Sequence, residues 1–134
     1  NSSFLFCKHA IPEMEKDGGG SIILVASQLG RVARPGRPWY CGAKGGLINM
    51  ARAIALDHAK QGIRCNALSP GPIETDRYVS NFDSAEHARQ NNFTLFERLG
   101  RPDEISPGAV FLASDESSFM TGSDLLIDGG FTAV

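Results

Sequence analysis

Ser21-Ile22-Ile23-Leu24-Val25-Ala26 follows the glycine turn Asp17-Gly18-Gly19-Gly20 and, after its serine, is apolar without a break. A strand wetted on one face alternates polar and apolar residues, whereas a short β-branched run without alternation suits a strand covered on both faces of a parallel sheet. Upstream, Phe4, Leu5, Cys7, Ala10, Ile11 and Met14 recur at roughly helical spacing and predict a helix over residues 2–15 that stops at the glycines. Downstream, Arg31 to Pro38 holds two prolines, one glycine and three arginines, the composition of a loop.

From Trp39 to Gln61 the positions Leu47, Ile48, Ala51, Ile54, Ala55 and Ala59 follow a helical period, and Gly62 supplies the stop. Ile63 to Leu68 reads as a second strand, ended by Ser69-Pro70-Gly71-Pro72. Residues 74–101 show no strong period. They mix Phe82, Phe93, Leu95 and Phe96 with polar residues, as a partly helical flap over a pocket does, with 76–101 on the substrate side. Asp103 to Ser114 is a further helix that Pro107-Gly108 is expected to kink or delay. Leu125-Leu126-Ile127 is a last strand, closed by Asp128-Gly129-Gly130. This alternation predicts an α/β fold with a parallel sheet, present as one partial domain over residues 1–134, because three strands leave an edge that further strands normally complete.

The chain carries 13 Lys and Arg against 15 Asp and Glu, a net charge of -2 without a basic stripe, so neither nucleic acid nor an anionic membrane is an expected partner. The longest apolar stretch, Ile22 to Ala26, falls far short of the roughly 18 residues of a membrane span. Cys7, Cys41 and Cys65 are odd in number and widely spaced, which suits free thiols in a reducing, cytoplasmic setting. With His9, His58 and His87 they form no paired ligand spacing, so no metal site is expected. The chain opens on Asn without a basic, apolar leader and reads as a piece of something longer.

Tyr40 and Lys44 lie four apart at the start of the long helix and share a face. Ser27 follows the first strand, at the carboxyl edge where open parallel sheets hold ligands. Hydride transfer at a carbon needs a partner for the proton on the attached oxygen. A Tyr hydroxyl, with an unperturbed pKa of about 10, can serve if a neighbouring ammonium favours its phenolate. A serine hydroxyl such as that of Ser27 would hold the substrate oxygen as charge develops there.

Gly20-Ser21-Ile22-Ile23 leading to Ser27, then Tyr40-Cys41-Gly42-Ala43-Lys44, then Gly62-Ile63-Arg64-Cys65-Asn66-Ala67-Leu68-Ser69-Pro70-Gly71 stand in one order, with Phe111-Leu112-Ala113-Ser114-Asp115 and Thr121-Gly122-Ser123 through Asp128-Gly129-Gly130 behind them. In this order and spacing the chain resembles the catalytic, C-terminal half of the short-chain dehydrogenase/reductase family, from Phe4 to Phe131. The resemblance implies a Rossmann-type doubly wound sheet, present as its later strands and helices, and an NAD- or NADP-dependent oxidation of a secondary alcohol to a ketone, or the reverse. It makes Ser27 the binder of the substrate oxygen, Tyr40 the acid/base, and Lys44 both the charge that favours phenolate and a ligand of the nicotinamide ribose. Pro70-Gly71-Pro72-Ile73-Glu74-Thr75 is similar to the family loop in which Ile73 backbone meets the carboxamide and Thr75 bonds the carboxamide or pyrophosphate. Proline and glycine there let the backbone turn and approach a flat ligand.

The family's phosphate-cradling glycine loop and the residue that chooses between NAD and NADP would lie upstream of Asn1, and its relay asparagine just before Asn1. On that ground the 134 residues alone are expected to be inactive, and a truncated remnant acting as a binding or oligomerisation module is the alternative. Gly18-Gly19-Gly20 reads as a turn and not a dinucleotide loop, and Arg31, Arg34 and Arg37 as a solvated loop. Gly45, Gly46 and Ala51 beside Leu47 and Ile48 suggest that the long helix packs on a twin, in a homodimer or homotetramer.

Overall fold

Ile63–Pro70 forms the central strand, β2, and its residues are among the most buried of the chain: Ile63 is 1% exposed, and Cys65, Asn66 and Ala67 are 0% exposed. In the computed structural model, which describes residues 2–91 and 93–133, β2 is flanked on both sides by parallel neighbours. β1 (Gly20–Val25) pairs from Gly20↔Ile63 to Val25↔Leu68, and β3 (Asp124–Ile127) from Ala67↔Asp124 to Pro70↔Ile127. Asn1, read as the neighbour of a relay asparagine, lies outside the described residues.

α1 (Ser2–Lys16) and α2 (Pro38–His58) cover one face of the sheet, where Cys7 and Ile11 of α1 and Ile48, Ala51 and Ala55 of α2 form one core with Leu24, Ala26, Ile63, Cys65 and Ala67. α5 (Pro102–Ala113) covers the other face: Ser21 Oγ donates to Leu112 carbonyl at 2.7 Å, and Gly108 lies under Leu68, Leu125 and Ile127. Helices on both faces of a parallel sheet make the doubly wound, Rossmann-type arrangement expected. Burying Leu112 and Ile63 contributes about 1.5–3 kcal/mol each.

Two polar side chains stitch β2 to α5 and the segment behind it. Arg64 donates to the carbonyls of Leu112 and Ser114 at 3.1 and 3.0 Å and to Ser117 Oγ at 2.9 Å, supplying the orphan carbonyls at the carboxyl end of α5 with a cation. Asn66 donates to Met120 carbonyl at 2.8 Å and accepts from Ser123 N–H at 3.0 Å.

Several boundaries differ from the sequence reading. β2 runs on through Ser69 to Pro70 instead of ending at Leu68, because Pro70 takes the last paired position opposite Ile127, where the ladder needs no N–H from it. Pro107 neither delays nor breaks α5. That helix starts at Pro102, held by the Glu104 carboxylate accepting from Arg101 N–H at 2.8 Å, and Pro107 sits on the exposed side. β1 lies at an edge of the three-stranded sheet, with Val25 56% exposed among the described residues, the open edge that further strands are expected to complete. The stripe read as packing on a twin is divided: Ile48 and Ala51 are buried in the core and a Cβ on Gly45 would sit 3.2 Å from Gly30 carbonyl oxygen, whereas Gly46 is exposed and open. Gly62 ends the turn after α2 in the left-handed region at φ 77°, as its place in the sequence predicts.

Candidate active site

Where β1 runs out, Ala26 N–H still reaches Leu68 carbonyl at 2.7 Å, and the next residue, Ser27, is extended and buried. Its Oγ accepts from Leu29 N–H at 3.2 Å and donates to Gln28 Oε1 at 2.9 Å, capping a single 3₁₀ turn over Gln28–Gly30. Tyr40 stands in the first turn of α2, half-buried, with its ring edge-on to Trp39 at 5.8 Å. One turn further along, Lys44 Nζ lies 5.8 Å from the centre of the Tyr40 ring and donates to Val25 carbonyl at 2.8 Å. Lys44 thereby ties the Tyr40 turn of α2 to the strand end that leads into Ser27. Burial, with the charge of Arg77 adding to it, holds the Lys44 ammonium below the usual lysine value.

The second part of the site grows from the end of β2. Gly71 N–H donates to Ile127 carbonyl at 2.9 Å, and a Cβ on Gly71 would lie 2.6 Å from Asp128 Cα. The close approach that demands glycine here is therefore to the chain's own backbone, a different reason from the ligand approach inferred from the sequence. Ile73 bridges Gly100, whose N–H donates to Pro72 carbonyl at 2.9 Å and whose carbonyl accepts from Glu74 N–H at 2.8 Å. A parallel bridge of this kind uses both groups of Gly100 and turns those of Ile73 the other way, where among the described residues neither has a backbone partner. Thr75 caps α3 (Asp76–Val79) by accepting from Tyr78 N–H at 3.2 Å, so its oxygen is engaged while its O–H is still able to donate.

The flap holds α3 and α4 (Ala85–Gln90), joined by an aromatic stack in which Tyr78 and Phe82 lie 5.3 Å apart and Phe82 and His87 5.7 Å apart. Phe82 is thus occupied inside the flap, while Phe93, Leu95 and Phe96 are exposed. Arg89 pairs with Glu74 at 2.6 Å and ties α4 to the loop that carries Ile73. The base of the flap borders a small cavity of about 80 Å³ lined by Ile73, Thr94, Phe96, Ile105 and Ile127.

The sequence comparison decides the family. Residues 1–132 match the family model described as enoyl-(acyl carrier protein) reductase, and a short-chain type dehydrogenase/reductase from Mycobacterium marinum superposes with a TM-score of 0.89 at 36% identity, covering 98% of this chain and 52% of that one. The chain belongs to the short-chain dehydrogenase/reductase family. Among its relatives is an uncharacterized oxidoreductase of Bacillus subtilis, 44% identical over 98% of this chain and 50% of that protein. A gluconate 5-dehydrogenase from Burkholderia cenocepacia, solved in complex with NADP and tartrate, is 32% identical with a TM-score of 0.89 and covers 98% of this chain and 52% of that one. The chain thus spans about half the length of the curated relatives it matches.

Sequence reasoning missed one contact beside this candidate site. Arg31, read as part of a solvated loop, donates from Nε to Asp124 Oδ2 at 2.6 Å and from Nη2 to Asp124 carbonyl at 2.8 Å, and Ser69 Oγ donates to Asp124 Oδ1 at 2.5 Å. The available signal was a lone acid, Asp124, opening an apolar strand. Nothing local to either residue names its partner 93 positions away.

Proposed function

We propose that this chain carries the catalytic residues of an NAD- or NADP-dependent oxidoreductase that interconverts a secondary alcohol and a ketone. The observation that carries the reading is the position of Lys44, whose ammonium lies 5.8 Å from the Tyr40 ring centre while it is bonded to the strand end that leads to Ser27.

The donor set fits a nicotinamide nucleotide. Lys44 gives one hydrogen to Val25 and has others suited to ribose hydroxyls. The Ile73 N–H and C=O, turned away from Gly100, match the acceptor and donor of a carboxamide, and the Thr75 O–H is a further donor beside them. Bound there, the cofactor would accept or return the hydride at the carbinol carbon. Ser27 Oγ would exchange its Gln28 partner for the substrate oxygen and hold it. The Tyr40 oxygen takes the hydroxyl proton as the carbonyl forms and returns it in the reverse direction, with the Lys44 ammonium stabilising negative charge at that oxygen. The flap over 76–101 would admit the substrate, and a polyhydroxy acid such as gluconate joins simple alcohols as a class to try, given the gluconate-oxidising neighbour.

Assembly as a homodimer or homotetramer belongs to the same reading, and Leu56 of α2 and Val110 of α5, 84% and 67% exposed, provide apolar surface for it. Free thiols at Cys7, Cys41 and Cys65 support a reducing, cytoplasmic location.

The test is turnover of D-gluconate, cyclohexanol and 2-butanol with NAD+ or NADP+ by the natural polypeptide, read by nicotinamide absorbance. Tyr40→Phe should lower kcat by about 100-fold or more while the cofactor still binds. Turnover that survives Tyr40→Phe would refute the assignment. Cofactor binding without any turnover by the parent would favour a binding module.

A further inference from the structure

We infer that Arg31, through its pairing with Asp124, is a positioning residue that fixes the orientation of the Ser27 turn. The inference rests on the reading of Ser27 given above.

The turn is closed on itself: Gly30 N–H donates to Ser27 carbonyl at 2.8 Å and Arg31 N–H to Gln28 carbonyl at 3.0 Å. It hangs from β1 at one end. In its middle it rests on α2, where a Cβ on Gly30 would stand 2.9 Å from the Lys44 carbonyl and 2.8 Å from Ile48 Cδ1, so the turn touches the helix backbone at the catalytic lysine. Those two supports define an axis. The buried Gln28 and Leu29 side chains pack the middle of the turn, but rotation about this axis would still swing Ser27 Oγ relative to Tyr40, and the Arg31–Pro38 segment that follows, with its two prolines and a glycine, adds no regular element.

Arg31 supplies the third point, and it lies off that axis. Its guanidinium crosses β2 and makes two bonds to Asp124 on β3, one to the carboxylate and one to the main chain. A planar fork held at two points fixes direction as well as distance. The Asp124 side chain is 2% exposed, whereas that of Arg31 is 40% exposed. Ser69 Oγ on β2 holds the second carboxylate oxygen, so the anchor cannot turn. The pin thus runs from β3, across the buried central strand, to the turn that carries Ser27. Misplacement of a reacting group by about 1 Å can cost as much as 100-fold in rate.

The experiment is a double-mutant cycle on the natural polypeptide, with cyclohexanol or D-gluconate as substrate, whichever the parent turns over faster. Arg31→Met should lower kcat about tenfold and leave the dissociation constant of the cofactor within about twofold, because the groups assigned to the cofactor stay in place. Against a Ser27→Ala background the same change should have little further effect, since there is no hydroxyl left to orient. Hydrogen exchange at Leu29 and Gly30 in the cofactor-free protein should quicken in Arg31→Met. Arg31→Met combined with Asp124→Asn, which leaves no buried charge unpaired, should show the same loss of kcat, and Arg31→Lys should recover only part of it. Unchanged kcat in Arg31→Met while Ser27→Ala is impaired would overturn the inference, as would an equal loss in both backgrounds. Full activity in Ser27→Ala would instead overturn the role of Ser27, and the positioning role with it.

Discussion

Replacing Gly71 by alanine separates two reasons for having glycine at that position. If the residue is small so that a ligand can approach, the cofactor-free protein should not notice the change. The packing predicts the opposite, because the added Cβ would fall 2.6 Å from Asp128 Cα and 2.9 Å from Asp128 carbonyl oxygen, and backbone atoms cannot rotate out of the way. Either the Pro70–Pro72 segment or the Asp128 turn must move, and the Gly71 N–H bond to Ile127, 2.9 Å long, stretches with it. Overpacking of this kind costs about 1–3 kcal/mol and the weakened bond about 1 kcal/mol, for a total of about 2–4 kcal/mol. With an unfolding entropy of about 2.1 cal/mol/K per residue over 134 residues, that is a fall in Tm of roughly 7–14 °C. Urea unfolding of the cofactor-free protein measures it directly. A loss below about 0.5 kcal/mol, together with abolished cofactor binding, would refute the packing argument and restore the ligand as the reason.

Other outcomes follow from the same contacts. Asn66→Ala leaves Met120 carbonyl and Ser123 N–H without their buried partner and should cost about 3–5 kcal/mol by equilibrium unfolding; a loss under about 1 kcal/mol would mean that water replaces the amide. Burial pushes the Cys65 thiol up to about 12, and the Cys7 thiol is raised for the same reason, so iodoacetamide near neutral pH should label the half-buried Cys41 in the folded protein and reach the other two only after denaturation, as peptide mass spectrometry would read. Hydrogen bonding to Arg98, with the Arg101 N–H adding to it, holds Glu104 at about 2 against an ordinary 4.5. A folded value below the unfolded one contributes stability that is present above 4.5 and is lost as pH falls toward 2. Glu104→Gln should therefore melt below the parent at neutral pH and converge with it near pH 2; parallel curves across that window would rule out the carboxylate as the cause.

The sheet was legible because its signals are local. The Ile22 to Ala26 and Ile63 to Leu68 runs, the period of α2 and the Gly62 stop each lie within one element, where side-chain spacing and backbone freedom act over a few residues. The Tyr40–Lys44 pair was legible for the same reason, since four residues of helix bring them to one side. What failed depended on partners far along the chain. Pro70 reads as a terminator until Ile127 is known to lie beside it, and Gly45, Ile48 and Ala51 read as surface until Gly30 and the β2 side chains are known to lie against them. Arg31 is charged and sits in a proline-rich loop, so only the carboxylate brought to it by β3 reveals that it is bound.

The bridge between Ile73 and Gly100 makes a neck: the chain leaves the scaffold and rejoins it at adjacent points. Residues 76–91 can grow, shrink or be exchanged as a cassette without shifting the register of β2, while Leu95 and Arg98 beyond them stay bonded to Gly129 and to Glu104 of α5. Doubling the length of such a loop costs only about 0.6 kcal/mol in closure entropy. If the flap holds the substrate as proposed, new specificities could be grafted above the neck while Tyr40, Lys44 and Ser27 stay where they are.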